Sequence, residues 1–177
     1  MQSFSDEQLM RIYQDEQDNQ RQVAFDCLYH RYAKAILQFL YFSLNNDYAK
    51  AQDFLHDLFV KIIEKPGSFD SHQNFKAWIY RIASNMCKNE FRRSAINQKY
   101  YSHLANTSEG IVIESETEKK LHTCICQLNQ EHRSLITLRF KMNLTIKEMS
   151  GIYECPEGTI KSRLFYATKE LTKLYKL

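Results

Sequence analysis

The chain carries little that would break a helix: four glycines and two prolines in 177 residues. A sandwich or barrel of short strands needs a turn residue every ten or so positions, so this scarcity excludes an all-β fold. It also excludes collagen-like and low-complexity sequence. The most apolar stretch, Ala35 to Leu44, is about half the length a bilayer-spanning helix requires. The opening MQSFSDEQLM has neither the basic start nor the apolar run of a signal peptide. Five cysteines lie at 27, 87, 124, 126 and 155, an odd number with no C-x-x-C spacing. They support neither a disulfide framework nor a zinc ribbon. No phosphate-cradling glycine loop, dinucleotide fingerprint or H-E-x-x-H motif is present, so nothing calls for a cofactor or a metal. The expectation is a reduced, cytoplasmic protein with no segment inserted in a membrane.

What the sequence does contain is helical periodicity. Apolar residues make up 44% of the chain, with eleven Tyr and eleven Phe among them. Ser5 with Gln8 reads as a capping box opening a first helix. Phe25, Leu28, Tyr32, Ala35, Ile36, Phe39 and Leu40 recur at three and four residues through a second, from about 20 to 42. Asn45-Asn46-Asp47 turns into a third that ends before Lys65-Pro66, and a fourth runs from Asn74 to about Arg93. The pattern then dissolves over NQKYYSHLANTSEGIVIES and returns over 119–128, 131–141, 146–152 and 156–174. The expected architecture is all-α: two small helical domains, 1–95 and 119–177, joined by a flexible linker, 96–118. Charge is uneven as well, with nine basic against five acidic residues from position 124 onward. A basic end suits nucleic acid, although an ordinary charged surface explains it equally.

Three helical faces carry chemistry. On the fourth helix Phe75, Ile79, Ile82, Ala83 and Met86 form a core stripe, while Trp78, Arg81, Asn85, Lys88 and Arg92 share a different arc at spacings of three and four. An indole, an amide and three cations suit a polyanion whose bases are unstacked, since cations hold phosphates and aromatics offer a π-face. The alternative is a solvated face with Trp78 at its margin. The third helix turns Asp53, His56, Asp57 and Val60 outward. Two like charges four residues apart are mildly unfavourable in an isolated helix, and a basic partner offsets that. A plain acidic surface, or a metal-dependent acid/base cluster, are the competing readings. In the C-terminal part, Thr145 with Glu148 forms a capping box, and Cys155-Pro156 starts the next helix after a turn around Gly151 to Glu154. These are helix-turn-helix proportions. Ile160, Leu164, Ala167, Leu171 and Leu174 face inward, while Lys161, Ser162, Phe165 and Lys169 face out. An outward Phe between Lys and Ser suits a major groove, where a ring meets a thymine methyl. His122 and Cys126 share a helical face, but two ligands fall short of a structural zinc site.

The segments AFDCLYHRYAKAILQFL, AQDFLHDLFVKI, NFKAWIYRIASN with FRRS, and LTIKEMSGIYECPEGTIKSRLFYATKEL, taken in order, resemble bacterial extracytoplasmic-function sigma factors. These are the short two-domain initiation subunits of RNA polymerase. The resemblance implies that Asp53, His56 and Asp57, with Val60 beside them, dock on the polymerase largest subunit, His56 standing where the family usually has Gln. It implies that Phe69 and Asn85 build a pocket for a flipped base of the -10 element, with Trp78, Arg81, Lys88 and Arg92 supporting the separated strand. It implies that the last helix reads the -35 duplex, with Lys161 and Phe165 nearest base edges, Ser162, Arg163 and Lys169 nearest phosphates or sugars, and Thr159 also among the -35 contacts. The implied partners are core RNA polymerase, promoter DNA and an anti-sigma protein, and the chain itself would not be an enzyme. The competing class is a stand-alone helix-turn-helix regulator whose N-terminal helices sense a ligand or dimerise.

Overall fold

A computed structural model describes residues 3–15, 19–97 and 116–176, and all regular structure among them is helical. The expected linker therefore lies largely outside the described residues. Eight α-helices follow one another: α1 (Asp6–Asp15), α2 (Asn19–Ser43), α3 (Tyr48–Glu64), α4 (Phe75–Asn97), α5 (Glu116–Gln127), α6 (Gln130–Ile136), α7 (Ile146–Tyr153) and α8 (Glu157–Lys176). A short 3-10 turn, Pro66–Ser68, separates α3 from α4. A π turn, Thr137–Lys141, prolongs α6, closed by the five-residue bond from Met142 N to Thr137 O at 3.0 Å.

The caps explain where the helices start. Gln8 N donates to Ser5 Oγ at 3.2 Å while Ser5 N donates to Gln8 Oε1 at 2.8 Å, the reciprocal pair the sequence predicts. Thr145 and Glu148 make the same box before α7, with Thr145 N donating to Glu148 Oε2 at 2.7 Å. The Asp47 side chain accepts from Lys50 N to begin α3, and Asn129 accepts from His132 N to begin α6. The turn between α7 and α8 differs from expectation. Gly151 lies inside α7, and Glu154, at φ 50°, takes the left-handed C-cap. The Ser150 hydroxyl steadies it by donating to Cys155 O at 2.5 Å.

A chain of this length allows two small cores, one per domain; among the described residues one main cluster crosses between the halves. Leu28, Phe39, Phe75 and Ile79 from the N-terminal helices share it with Leu135, Leu138, Met149, Ile152 and Ile160. The cause is α4, which packs on α1, α2 and α3 on one side and on α6 and α7 on the other. A smaller cluster of Ile125, Leu128, Ile136 and Ala167 sits where α5, α6 and α8 meet.

The corner between α2 and α3 adds a polar tie. Asn45 and Asn46 both take positive φ, 58° and 63°, which Asn tolerates better than most residues. Asn45 Oδ1 accepts from the guanidinium of Arg133, and Asn46 Nδ2 donates to Cys126 Sγ at 2.8 Å. Burial, and then nearby Lys141, push the His122 pKa down, and its Nε2 lies 3.1 Å from Asn46 Oδ1 in a hydrogen bond. His122 and Cys126 thus both engage Asn46 and tie α5 to this corner. Arg133 is itself buried and donates to the carbonyls of Ile125, Cys126 and Leu128, closing the C-terminal end of α5.

Candidate functional site

The three faces occupy different sides of this bundle. On α3, Asp53, His56 and Asp57 are exposed and Val60 is half-buried, while Ala51, Leu58, Phe59 and Ile62 point into the core. The acidic face therefore stands open, as its spacing predicts. Lys50 pairs with Glu90 of α4, fixing α3 against its neighbour.

On α4 the structure departs from the predicted face. Trp78 is only 5% exposed and Phe69 3%, so neither presents an open ring. Trp78 instead packs against Phe69 and Phe75, with ring centroids 5.0 and 5.6 Å apart. A helical wheel registers only its own helix, whereas the loop before α4 lays Phe69 on the indole at the margin of the stripe and encloses it. Gln14 holds the loop beneath by donating to Pro66 O at 2.7 Å and Phe69 O at 2.8 Å. Asn85, Lys88 and Arg92 are exposed, and Arg81 is half-buried.

Helix α7 lies across this same side. Arg81 Nη1 pairs with Glu154 Oε1 at 2.7 Å and Lys76 Nζ pairs with Glu148 Oε1 at 3.1 Å. Burial works against ionisation of Glu148, but hydrogen bonds from Thr145 and Lys76 outweigh it and hold the carboxyl below the usual glutamate range. Two open grooves flank the crossing. One, about 590 Å³, is lined by Gln73, Asn74, Trp78, Arg81 and Glu148, and the other, about 460 Å³, by Asn85, Lys88, Glu131, Tyr153 and Arg163.

On α8 the expected face is present. Lys161, Ser162, Phe165 and Lys169 are exposed, and Phe165 is 62% accessible, a large ring held in solvent. Thr159 and Arg163 are half-buried, and Arg163 Nη1 pairs with Glu131 Oε1 at 3.0 Å. Sequence reasoning passed over Tyr166, which is 60% exposed and meets Phe165 edge to face at 5.5 Å. Its signal was adjacency to Phe165 on the outward arc. Lys76 and Glu154 were also passed over, and Glu148 was read only as a cap, because pairs between the two halves leave no local pattern. Among the described residues no three His, Cys, Asp or Glu side chains are grouped to hold a metal, and no helix is long and apolar enough to cross a membrane.

Residues 28–96 match the family model described as Sigma-70 region 2, and residues 124–173 match Sigma-70, region 4. Region 2 followed by region 4 in one chain is the arrangement of an RNA polymerase sigma factor. RNA polymerase sigma-H factor of Pseudomonas aeruginosa is 30% identical over 165 residues, covering 85% of each chain. The ECF RNA polymerase sigma-E factor of Haemophilus influenzae is 31% identical over 161 residues, covering 81% of this chain and 83% of its own. The chain belongs to the extracytoplasmic-function group of RNA polymerase sigma factors. It directs core polymerase to specific promoters and promotes strand opening, and the stand-alone regulator is not favoured. The fold is shared with two solved structures. The sigma factor RpoE in complex with the anti-sigma factor NepR from Bartonella quintana gives a TM-score of 0.71 at 24% identity, covering 86% of this chain and 97% of that one. CnrH in complex with the cytosolic domain of CnrY gives 0.70 at 20% identity, covering 97% of both.

Proposed function

We propose that promoter recognition is divided between residues 1–95, which dock on core polymerase and hold the opened -10 strand, and residues 119–177, which read the -35 duplex, with 96–118 as tether. The observation that best supports this is the α8 face, where Phe165 stands in solvent between Lys161, Ser162 and Lys169. An exposed ring is unfavourable in water and becomes favourable against a thymine methyl in the major groove, while a lysine reaches a guanine edge. Thr159 and Arg163 then approach the backbone, Arg163 by releasing Glu131.

The α3 face supplies the other partner contact. Asp53, His56 and Asp57 form an open acidic strip with Val60 at its edge, complementary to a basic polymerase surface. On α4, Asn85 accepts the edge of a flipped base, and Arg81, Lys88 and Arg92 hold phosphates of the separated strand. Phe69 and Trp78 act from beneath, as the packed floor of that pocket, rather than as open stacking rings. Unstacking one base costs a few kcal/mol, which the bound polymerase offsets. A surplus of nine basic over five acidic residues is too small for tight binding by the C-terminal half alone. The tether raises the effective concentration of each half at its element.

Bond formation belongs to polymerase; the chain contributes recruitment and is not itself an enzyme. We place it in the cytoplasm. RpoE and CnrH are held by NepR and the cytosolic domain of CnrY, and a comparable anti-sigma protein is expected here. Transcription in vitro with core polymerase on a promoter library tests the reading. Core plus this chain should initiate from a subset sharing -10 and -35 sequences, and neither component should do so alone. If the purified chain protects duplex promoters at low concentration and core adds nothing, the reading fails.

A further inference from the structure

We infer that α1 is a template for the loop that enters α4. Glu7, Arg11 and Gln14 are positioning residues that fix where Phe69 and the polar bulge beyond it stand, and so how exclusively the pocket accepts one base of the opened -10 strand. The inference rests on the assignment of Phe69 and Asn85 to that pocket made above. Glu7, Arg11 and Gln14, spaced four and three residues apart, form one stripe of α1. The loop is laid along this stripe in the reverse direction. Gln14 Nε2 donates to Pro66 O at 2.7 Å and to Phe69 O at 2.8 Å. Arg11 Nη2 donates to Ser71 Oγ at 3.3 Å, and Glu7 Oε1 accepts from the N–H of Phe75, the first residue of α4, at 3.1 Å. The loop is thereby indexed against a helix from its start to its end.

A template has to be fixed itself, and α1 is held on its other side. Leu9, Met10 and Tyr13 are buried in the main core, and Asp6 accepts from Arg31 Nη1 at 2.6 Å and from the Tyr32 hydroxyl. The bonds within the loop are short-range: Ser68 Oγ donates to Lys65 O at 2.6 Å, and Asp70 accepts from His72 N and Gln73 N, both at 2.9 Å. Such bonds shape turns without placing them on the bundle. Placement comes from Phe69, packed on Phe75 and Trp78, and from the α1 stripe. Both partners of Gln14 are carbonyls, so its nitrogen faces the loop, and its two bonds straddle the Pro66–Ser68 turn that carries Phe69 inward. Gln14 therefore sets the height of the pocket floor. Between the Arg11 and Glu7 contacts His72, Gln73 and Asn74 stand exposed, and the last two line the groove that also holds Trp78 and Arg81. One such bond shifts an equilibrium by about twofold to tenfold, so losing both loosens Phe69 and the bulge together.

Trp78, the single tryptophan, reports the loop directly, because the Phe69 ring lies 5.0 Å from its indole. In the full chain Gln14→Met keeps the length of the side chain and removes both donors, while Gln14→Lys restores a donor. Acrylamide quenching of Trp78 should rise about twofold or more in Gln14→Met and return toward wild type in Gln14→Lys. Unchanged quenching in the methionine variant overturns the template. With core polymerase added, the promoter used most in library transcription is then compared with its single-base -10 variants. The preference of wild type for that promoter should fall about threefold to tenfold in Gln14→Met and recover in Gln14→Lys. Glu7→Met, at the other end of the stripe, should lower the same ratio. An equal loss on every promoter would mean a purely structural role and overturns the inference. Asn85→Ala tells the template from the pocket. If it flattens the preference and Gln14→Met does not, the template alone falls; if neither variant changes it, the pocket assignment falls and the template falls with it.

Discussion

Replacing Arg133 by Met tests how the C-terminal helices are held together. The guanidinium is buried and donates from Nε to Ile125 O at 3.2 Å, from Nη2 to Leu128 O at 3.0 Å and to Cys126 O, and from Nη1 to Asn45 Oδ1. Methionine fills most of the same volume and supplies none of these donors. Ile125 O keeps a partner, because Leu128 N also donates to it at 3.2 Å, so two buried carbonyls, of Cys126 and Leu128, lose their arginine. Each stranded carbonyl costs about 1 to 3 kcal/mol. Burying the guanidinium is itself unfavourable, as the downward push of burial on its pKa indicates, and methionine removes that term. The net destabilisation is therefore near the low end of the sum for two carbonyls, about 2 kcal/mol. For a chain of this size that corresponds to roughly 4 to 8 °C in Tm, read by far-ultraviolet circular dichroism. Arg133→Lys, whose ammonium reaches fewer of the carbonyls, should fall between. A shift below roughly 2 °C for the methionine variant would refute the capping role.

Asp57→Lys should fold normally, since the side chain is exposed, and weaken association with core polymerase; unchanged affinity in a pull-down titration would remove α3 as the docking face. Asn85→Ala should impair promoter melting, followed by permanganate footprinting, more than core binding, whereas Trp78→Ala should lose stability by about 3 to 5 kcal/mol and thereby reduce both. Equal loss of melting and core binding for Asn85→Ala would count against the base pocket. Lys161→Ala should cost about 1 to 3 kcal/mol at one -35 base pair, and a uniform loss across operator variants would mark a phosphate contact instead. Because the Glu148 carboxyl is held below its ordinary value of 4.5, its contribution to stability is complete above that pH and disappears as pH falls through the lower folded value. Wild type should therefore lose stability relative to Glu148→Gln on acidification, and parallel denaturation curves would contradict the assignment.

Helix positions were legible because caps and periodicity are local. Ser5 with Gln8, Asp47, and Thr145 with Glu148 each announce a start within four residues, and the structure uses all three. The α8 face was legible for the same reason, since its inner stripe is continuous from Ile160 to Ala167. What escaped depends on elements distant in sequence. Trp78 falls on an outer arc of the wheel, which cannot register Phe69 of the preceding loop folding onto the indole. The shared core escaped likewise, because Met149 and Ile152 show the same spacing whether they cover their own domain or α4. Gly151 was assigned to the turn on its residue type, yet it is the place where α7 comes nearest Ala77, and the left-handed cap falls to Glu154.

The asparagine corner between α2 and α3 combines two jobs that chemistry can separate. Its handedness requires only residues that tolerate positive φ, which glycine does as well as asparagine. Its grip on Arg133, Cys126 and His122 requires the amide groups themselves. Glycine at either position would preserve the bend of the N-terminal helices while cutting a strap to the opposite half. The bend and the tie to the opposite half are thus separable by substitution, with no change to the exposed faces of α3 and α8.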